Sequence, residues 1–297
     1  MGESVVRVAA AQYPIEFLES WARYRDKISH LVAEAAESGA RLAVFPEYAS
    51  MELASLFPRE VYSSLSLQLE RMQDLLPQYR TLFAELARRH DLYVCAGSFP
   101  ERVGDEYRNR SYFFSPEGRF DFQEKLVMTR FENERWLVRK GKGIRVFETR
   151  CGRVGINVCY DVEFPLVARA QAEAGADLIV VPSCTDTLAG YHRVRLGCQA
   201  RALENQCFVV MSPTVGQAPW SEAVDVNVGA AGMFAPPDLG MPDDGVLAVG
   251  ELNAPQWVYA DLDLDAVRRV RREGQVFNAR DWDNQCAAVA AAQLCLL

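Results

Sequence analysis

The stretch Arg150-Cys151-Gly152-Arg153-Val154-Gly155-Ile156-Asn157-Val158-Cys159-Tyr160-Asp161-Val162-Glu163-Phe164-Pro165 sets the reading of the whole chain. Cys151-Gly152-Arg153 supplies a turn. Val154 to Val158 is an apolar, partly β-branched run, the pattern of a buried strand. Pro165 suits the first turn of a helix, where its missing N–H costs little, and Leu166 to Ala172 carries that helix toward Gly175. Cys159 thus falls at the carboxyl end of a strand and before a helix, where open α/β sheets collect their ligands. A thiol held there can serve as a nucleophile.

The same grammar recurs upstream. Val5 to Gln12 reads as a strand, and Leu18 to Ser38 as a long helix with Trp21, Tyr24, Ile28, Leu31, Val32 and Ala35 near helical spacing. Gly39-Ala40 stops it, and the short apolar strand Leu42 to Phe45 closes on Pro46-Glu47. The run from Ala35 to Pro46 echoes that from Gln171 to Pro182: helix, Gly-Ala, apolar strand, proline. Two such half-units suggest a pseudo-symmetric pair of β-α-β elements. Helices are expected over 59–89, broken near Pro77, and strands over 92–99, 107–114 and 119–125. The segment 126–142 reads as irregular and charged. Ile144 to Glu148 is expected to pair with Val154 to Cys159, and later strands fall at 177–182, 207–212, 246–249 and 257–260. A short helix is expected from Leu264 to about Arg272. Alternating helices and short buried strands predict a layered α/β architecture, with no stretch resembling an interdomain linker.

Composition narrows the function. The 297 residues carry a formal net charge of -8, which argues against a general nucleic-acid binder. The one basic run, Arg268-Arg269-Val270-Arg271-Arg272, reads as a solvated or interface helix face. No apolar run approaches the roughly 20 residues that span a membrane, and the acidic start Met1-Gly2-Glu3-Ser4 is unlike a signal peptide. Eight cysteines with no C-x-x-C pair suggest neither a disulfide scaffold nor zinc; reduced thiols in a cytoplasmic protein are expected.

The common catalytic motifs are missing. The three histidines, His30, His90 and His192, follow no G-x-S-x-G elbow. No nucleotide-binding glycine motif occurs, and no cluster has metal-ligand spacing, so neither a metal nor a cofactor is expected. A cysteine nucleophile then needs another base, because a free thiol with a pKa near ~8.5 is mostly protonated at neutral pH. Glu47 and Lys125 both close strands, as Cys159 does. A glutamate can accept the thiol proton and a lysine favours the thiolate. Each alone has the ordinary reading of a surface or core residue.

In combination, Phe45-Pro46-Glu47, Glu124-Lys125-Leu126 and Asn157-Val158-Cys159-Tyr160-Asp161 with Phe164-Pro165 resemble, in order, the three signatures of the nitrilase (carbon–nitrogen hydrolase) superfamily. The resemblance runs from Val5 to about Asn278. It implies a four-layer α-β-β-α sandwich over residues 1–280, leaving 281–297 as a C-terminal tail. The apolar stretch from Cys286 to Leu297 is expected to be a helix contacting a second subunit of a homodimer or larger homo-oligomer. The resemblance also implies a Glu-Lys-Cys triad: Cys159 as nucleophile, Glu47 as general base, Lys125 and the Tyr160 backbone N–H as oxyanion donors. Glu132 is the best match to a second glutamate, with Glu134 as the fallback. Asp161 and Glu163 are read as favouring the helix N-terminus or forming structural pairs. Tyr160-Asp161, where nitrilases carry Trp-Glu, favours a small amide, giving acid and ammonia, over a nitrile. An N-carbamoyl-amine hydrolase or a nitrilase, a catalytically silent binding or scaffold member and a thiol redox protein using Cys151 are the alternatives.

Overall fold

The strands marked by uninterrupted apolar runs, Leu42–Phe45 and Leu178–Ser183, are buried at every residue. That pattern requires cover on both faces. The computed structural model, which describes residues 4–289 and 294–295, provides it. In the first half, β1 (Val5–Pro14), β2 (Leu42–Phe45), β3 (Tyr93–Val103), β4 (Glu106–Phe114) and β5 (Phe120–Glu124) lie in the order β5-β4-β3-β2-β1. The strand Gln256–Asp263 runs antiparallel along β1. In the second half, Val146–Thr149, Gly152–Ile156, Leu178–Ser183 and Phe208–Gln217 pair in that order. The halves join where β1 meets Phe208–Gln217 through Tyr13↔Thr214 and Pro14↔Val215, so one curled sheet folds into two facing layers.

Period-two alternation sorts the side chains. Val8, Ala10, Leu42 and Val44 meet Val154, Ile156, Val180 and Val210 in the core between the halves. Ala9, Ala11, Ala43 and Phe45 turn outward against α1 (Trp21–Glu37) and the helix Leu76–Arg89. Ile179, Val181, Val209 and Met211 turn outward against the helices Pro165–Glu173 and Leu188–Asn205. The result is the four-layer α-β-β-α sandwich.

The internal echo is a structural repeat. Gly39 and Gly175 sit at φ +86 and +91, a left-handed geometry that ends a helix and favours glycine. Gly39 N–H donates to Ala36 and Ala40 N–H to Ala35; Gly175 and Ala176 donate to Ala172 and Gln171 in the same pattern. Each following strand then enters parallel to its predecessor, through Arg41 N–H to the Arg7 carbonyl and Asp177 N–H to that of Arg153.

Several expectations change. Cys159 is not in the strand, which ends at Ile156; it opens a 3₁₀ turn, Cys159–Glu163. The segment 126–142 contains a π-helical turn, Glu132–Trp136, and a two-residue strand, Val138–Arg139, parallel to β4. The helical break falls at 73–75, and Pro77 belongs to the first turn of the next helix. Arg268 and Arg271 are not simply solvated: both pair with the buried Asp177, and Arg271 also donates to the Gln206 and Ala176 carbonyls. They clip the helix Leu264–Glu273 to the base of the second half. Of the expected tail helix, Cys286–Val289 is helical; residues 290–293 and 296–297 lie outside the described residues.

One glycine ties β3 to the corner that carries Glu47. Gly97, at φ +72, lies in a β3–β4 irregularity between Cys95 and Ser98. A Cβ there would stand 2.1 Å from the Pro46 carbonyl oxygen, immediately before Glu47. Gly97→Ala is expected to cost roughly 2–4 kcal/mol, read as a lowered urea midpoint, because that carbonyl belongs to backbone that cannot swing aside.

Candidate active site

Glu47 leaves the end of β2, Lys125 the end of β5, and Cys159 the turn after Gly152–Ile156. The structure brings all three together with Glu132, each at most 4% exposed. Lys125 Nζ lies 2.8 Å from Glu47 Oε1 and 2.7 Å from Glu132 Oε2. The Cys159 thiol donates to the Cys184 carbonyl at 3.7 Å and feels the charges of both Glu47 and Lys125. Glu134 is outside this group, paired with the exposed Arg130 at 2.8 Å.

Local geometry explains how each is held. Cys159 adopts φ +50, a left-handed conformation uncommon for a side-chain-bearing residue. The first bond of its turn runs from Asp161 N–H to the Val158 carbonyl at 3.1 Å. The Cys159 and Tyr160 N–H groups therefore have no partner within the turn. Lys125 N–H donates to the Asn109 carbonyl at 2.9 Å, and Gly141 N–H donates to the Lys125 carbonyl at 2.7 Å. Asp161 does not cap the following helix. Its carboxylate accepts from the Val127 N–H at 2.8 Å and the Leu126 N–H at 3.1 Å. Glu163 faces Arg193 at 3.7 Å. Cys151 donates its thiol to the Arg41 carbonyl, away from Cys159, so the cysteine beside the candidate nucleophile is Cys184.

Three residues of the site went unread in the sequence. Asn109, fully buried in β4, donates through Nδ2 to Glu47 at 2.8 Å and to Glu132 at 3.4 Å. Tyr48 donates its hydroxyl to Glu132 at 2.7 Å, with its ring 4.5 Å from that of Trp136. Thr129 donates N–H and hydroxyl to Glu132 at 2.9 Å each. Only the strand-end position of the Pro46-Glu47-Tyr48 corner hinted at Tyr48.

The two glutamates are electrically unequal. Burial opposes ionisation of Glu132, but Lys125, Tyr48 and Thr129 outweigh it and hold the carboxyl below its usual range. Glu47 has fewer donors. Burial pushes it up, Lys125 draws it down, the Glu132 charge pushes it up again, and it settles at about 7. Burial also pushes the Cys159 thiol well up, aided by Glu47 and opposed by Lys125. Lys125 remains an ammonium: burial disfavours the charge, but Glu132, Glu47 and Cys159 overcome it. The set can move a proton between sulfur and Glu47 beside a fixed cation. Among the described residues, no helix is long and apolar enough to cross a membrane, and no cluster of His, Cys, Asp and Glu could hold a metal ion.

The fold is that of the carbon–nitrogen hydrolase family. Residues 7–272 match the carbon-nitrogen hydrolase family, and the chain belongs to it. "Probable hydrolase YhcX" of Bacillus subtilis is 36% identical over 277 residues, which is 93% of this chain and 53% of that protein; the chain spans about half its length. "Omega-amidase NIT2" of Danio rerio is 26% identical over 258 residues, 82% of this chain and 83% of the relative. Among solved structures, a carbon-nitrogen hydrolase from Helicobacter pylori G27 matches with a TM-score of 0.74 at 18% identity, covering 91% of this chain and 92% of that one. The chain falls on the amidase-like side of the nitrilase superfamily.

Lys125→Met leaves two buried carboxyls without their cation, which raises both pKa values. A raised folded-state carboxyl pKa gives stability below the unfolded value of ~4.3 and loses it as pH rises. The variant is expected to lose roughly 3–5 kcal/mol at pH 7. Urea midpoints should show that deficit narrowing toward pH 5.

Proposed function

We propose that this chain hydrolyses a small primary amide to a carboxylic acid and ammonia through a thioester on Cys159. The observation that carries the reading is the buried Lys125 ammonium bridging Glu47 and Glu132, with the buried Cys159 thiol within reach of the charges of both Glu47 and Lys125. The Danio rerio relative is named an omega-amidase, in keeping with this reading.

In the first half-reaction the Cys159 sulfur attacks the amide carbon while Glu47 takes the thiol proton. Negative charge gathers on the carbonyl oxygen. Lys125 Nζ and the Tyr160 N–H, unpartnered in its turn, donate to it; one such donor is typically worth about 10²–10³ in rate. As the tetrahedral adduct collapses, the C–N bond breaks and Glu47 passes its proton to the leaving nitrogen, releasing ammonia. In the second half-reaction Glu47 takes a proton from water, the hydroxide attacks the thioester, and the C–S bond breaks. The proton returns to sulfur. Covalent catalysis thus divides one difficult hydrolysis into two easier steps. Glu132, held ionised by its several donors, keeps Lys125 charged and aimed throughout.

Ammonia release from a panel of small aliphatic primary amides tests this reading. Wild type is expected to turn over at least one, and Cys159→Ala none above background; equal release from both would end the thioester mechanism. A trapped acyl adduct on Cys159 in wild type, seen by mass spectrometry, would identify the acyl group. The pH profile carries a second expectation. Glu47 is a base only when ionised, so kcat/KM should fall about tenfold per unit as pH drops below about 7. A flat profile from pH 8 to pH 5 would assign the proton transfer to another group.

A further inference from the structure

Asp161 takes no part in the bond-making above, yet it is 1% exposed and lies two residues beyond the nucleophile. Its surroundings explain why a carboxylate is there. Oδ1 accepts the Val127 N–H at 2.8 Å, and the Leu126 N–H lies 3.1 Å from each oxygen. Its own N–H closes the Cys159 turn on Val158. One residue therefore belongs to the nucleophile's turn and grips the two residues that follow Lys125.

That grip joins the segment after Lys125, in the first half, to the turn that carries Cys159, in the second. Lys125 is tied by its N–H to Asn109 in β4 and by its carbonyl to Gly141. Both ties fix it within the first half. Cys159 hangs from the second half, after Gly152–Ile156. Among the described residues, the hydrogen bonds joining segment 125–127 to turn 159–163 all end on the Asp161 carboxylate.

We propose that Asp161 is a positioning residue: its carboxylate locks the Lys125 segment of one half of the sandwich to the nucleophile turn of the other, and so sets the spacing between Lys125 Nζ and the Cys159-Tyr160 turn. Its effect on turnover rests on the amide-hydrolase reading; its effect on thiol geometry does not. Charge-assisted bonds to backbone N–H groups are shorter and stronger than neutral ones, which suits a tie between separately built parts. Burial pushes Asp161 up to about 6, with Lys125 and the Val127 and Leu126 N–H groups pulling the other way. The clamp is therefore ionised at neutral pH.

Three variants test it: Asp161→Ala removes the acceptor, Asp161→Ser keeps a polar group too short to span both donors, and Asp161→Asn keeps one well-placed acceptor oxygen. Ala and Ser are expected to lower kcat for the best amide about 10²-fold, the usual consequence of an ångström-scale misplacement, with KM within about threefold. Asn is expected to stay within about fivefold of wild type, since both N–H groups retain an acceptor. An activity-independent readout is the rate at which iodoacetamide alkylates Cys159. It should slow about tenfold in Ala and Ser, equivalent to raising the thiol pKa by about one unit, and hold in Asn. Wild-type kcat and alkylation in Ala or Ser would overturn the proposal. So would an Asn variant as impaired as Ala, because charge and not the tie would then be what matters. If wild type hydrolyses no amide but alkylation still separates the variants, the hydrolase reading falls and the positioning role stands.

Discussion

A single ammonium balances two buried carboxylates, and the rest of the site is shaped by that constraint. Lys125 stands 2.8 Å from Glu47 and 2.7 Å from Glu132. One positive charge cannot fully compensate two negative ones at such burial, so the carboxyls must differ. They differ through their other donors. Glu132 collects Tyr48, the Thr129 N–H and hydroxyl, and a longer contact from Asn109. Beside Lys125, Glu47 has Asn109. Acceptors satisfied by several donors stay ionised, so the site's proton belongs on Glu47 or on sulfur. That division takes the place of a histidine in a chain that carries three, all outside the site.

The halves of the sandwich are related but unequal, and the inequality makes room for the site. Register equates Ala10, opposite Val44, with Ile156, opposite Val180. Three residues further on, Tyr13 is then the counterpart of Cys159. Tyr13 is sealed at 1% exposure against Glu52, which Lys27 neutralises at 2.6 Å. At one strand end a glutamate–lysine pair anchors the buried 3₁₀ segment Ala49–Leu56. At the other, the chain turns through a left-handed cysteine. Tyr48, Leu137 and Cys159, at φ +56, +55 and +50, are three non-glycine residues with left-handed backbone: Tyr48 follows Glu47, Cys159 precedes Tyr160, and Leu137 ends the π-helical turn that Glu132 opens. Such conformations persist only where the surrounding packing over-determines them. Tyr48 and Cys159 are both buried, and Leu137 lies between the buried Trp136 and Val138.

What could be read in the sequence divides along physical lines. Glu47, Lys125 and Cys159 stood out because a strand end is a local feature, visible as an apolar run and its closure; their roles came from the resemblance and not from spacing. The layers were readable because both sheet faces are covered, which leaves continuous apolar runs. Asn109 was invisible for the opposite reason. It lies inside β4 among Arg108, Arg110 and Ser111, and nothing local separates a buried amide between two carboxylates from a solvated one. Glu132 was distinguishable from Glu134 only by resemblance, because a π-helical turn has no apolar period to give it away. Asp161 was expected to favour the helix start or to form a structural pair, with no partner named. The partners it took instead, Leu126 and Val127, are 35 and 34 residues distant, a separation no local pattern can encode. Arg268 and Arg271 likewise looked like a charged face until the fold brought Asp177 beneath them.

The burial of the nucleophile, which looks like an obstacle, is explained by the same balance of charge. A thiol pushed well above its ordinary range is a poor nucleophile at rest, and so is protected from stray electrophiles and oxidants. Under the proposed mechanism its proton passes to Glu47, which burial poises at about 7. Full transfer at rest would put a buried thiolate and the Glu132 carboxylate on one ammonium, which burial disfavours. In the proposed reaction an electrophilic carbonyl would change the balance, because charge arriving on sulfur would move onward to an oxygen held by Lys125 and the Tyr160 N–H. Reactivity is thereby conditional on a carbonyl in place, and the conditions are set by donors on β4, on the turn after β5 and on the turn after Gly152–Ile156. Misplacing any one of these segments would leave the thiol intact but silent.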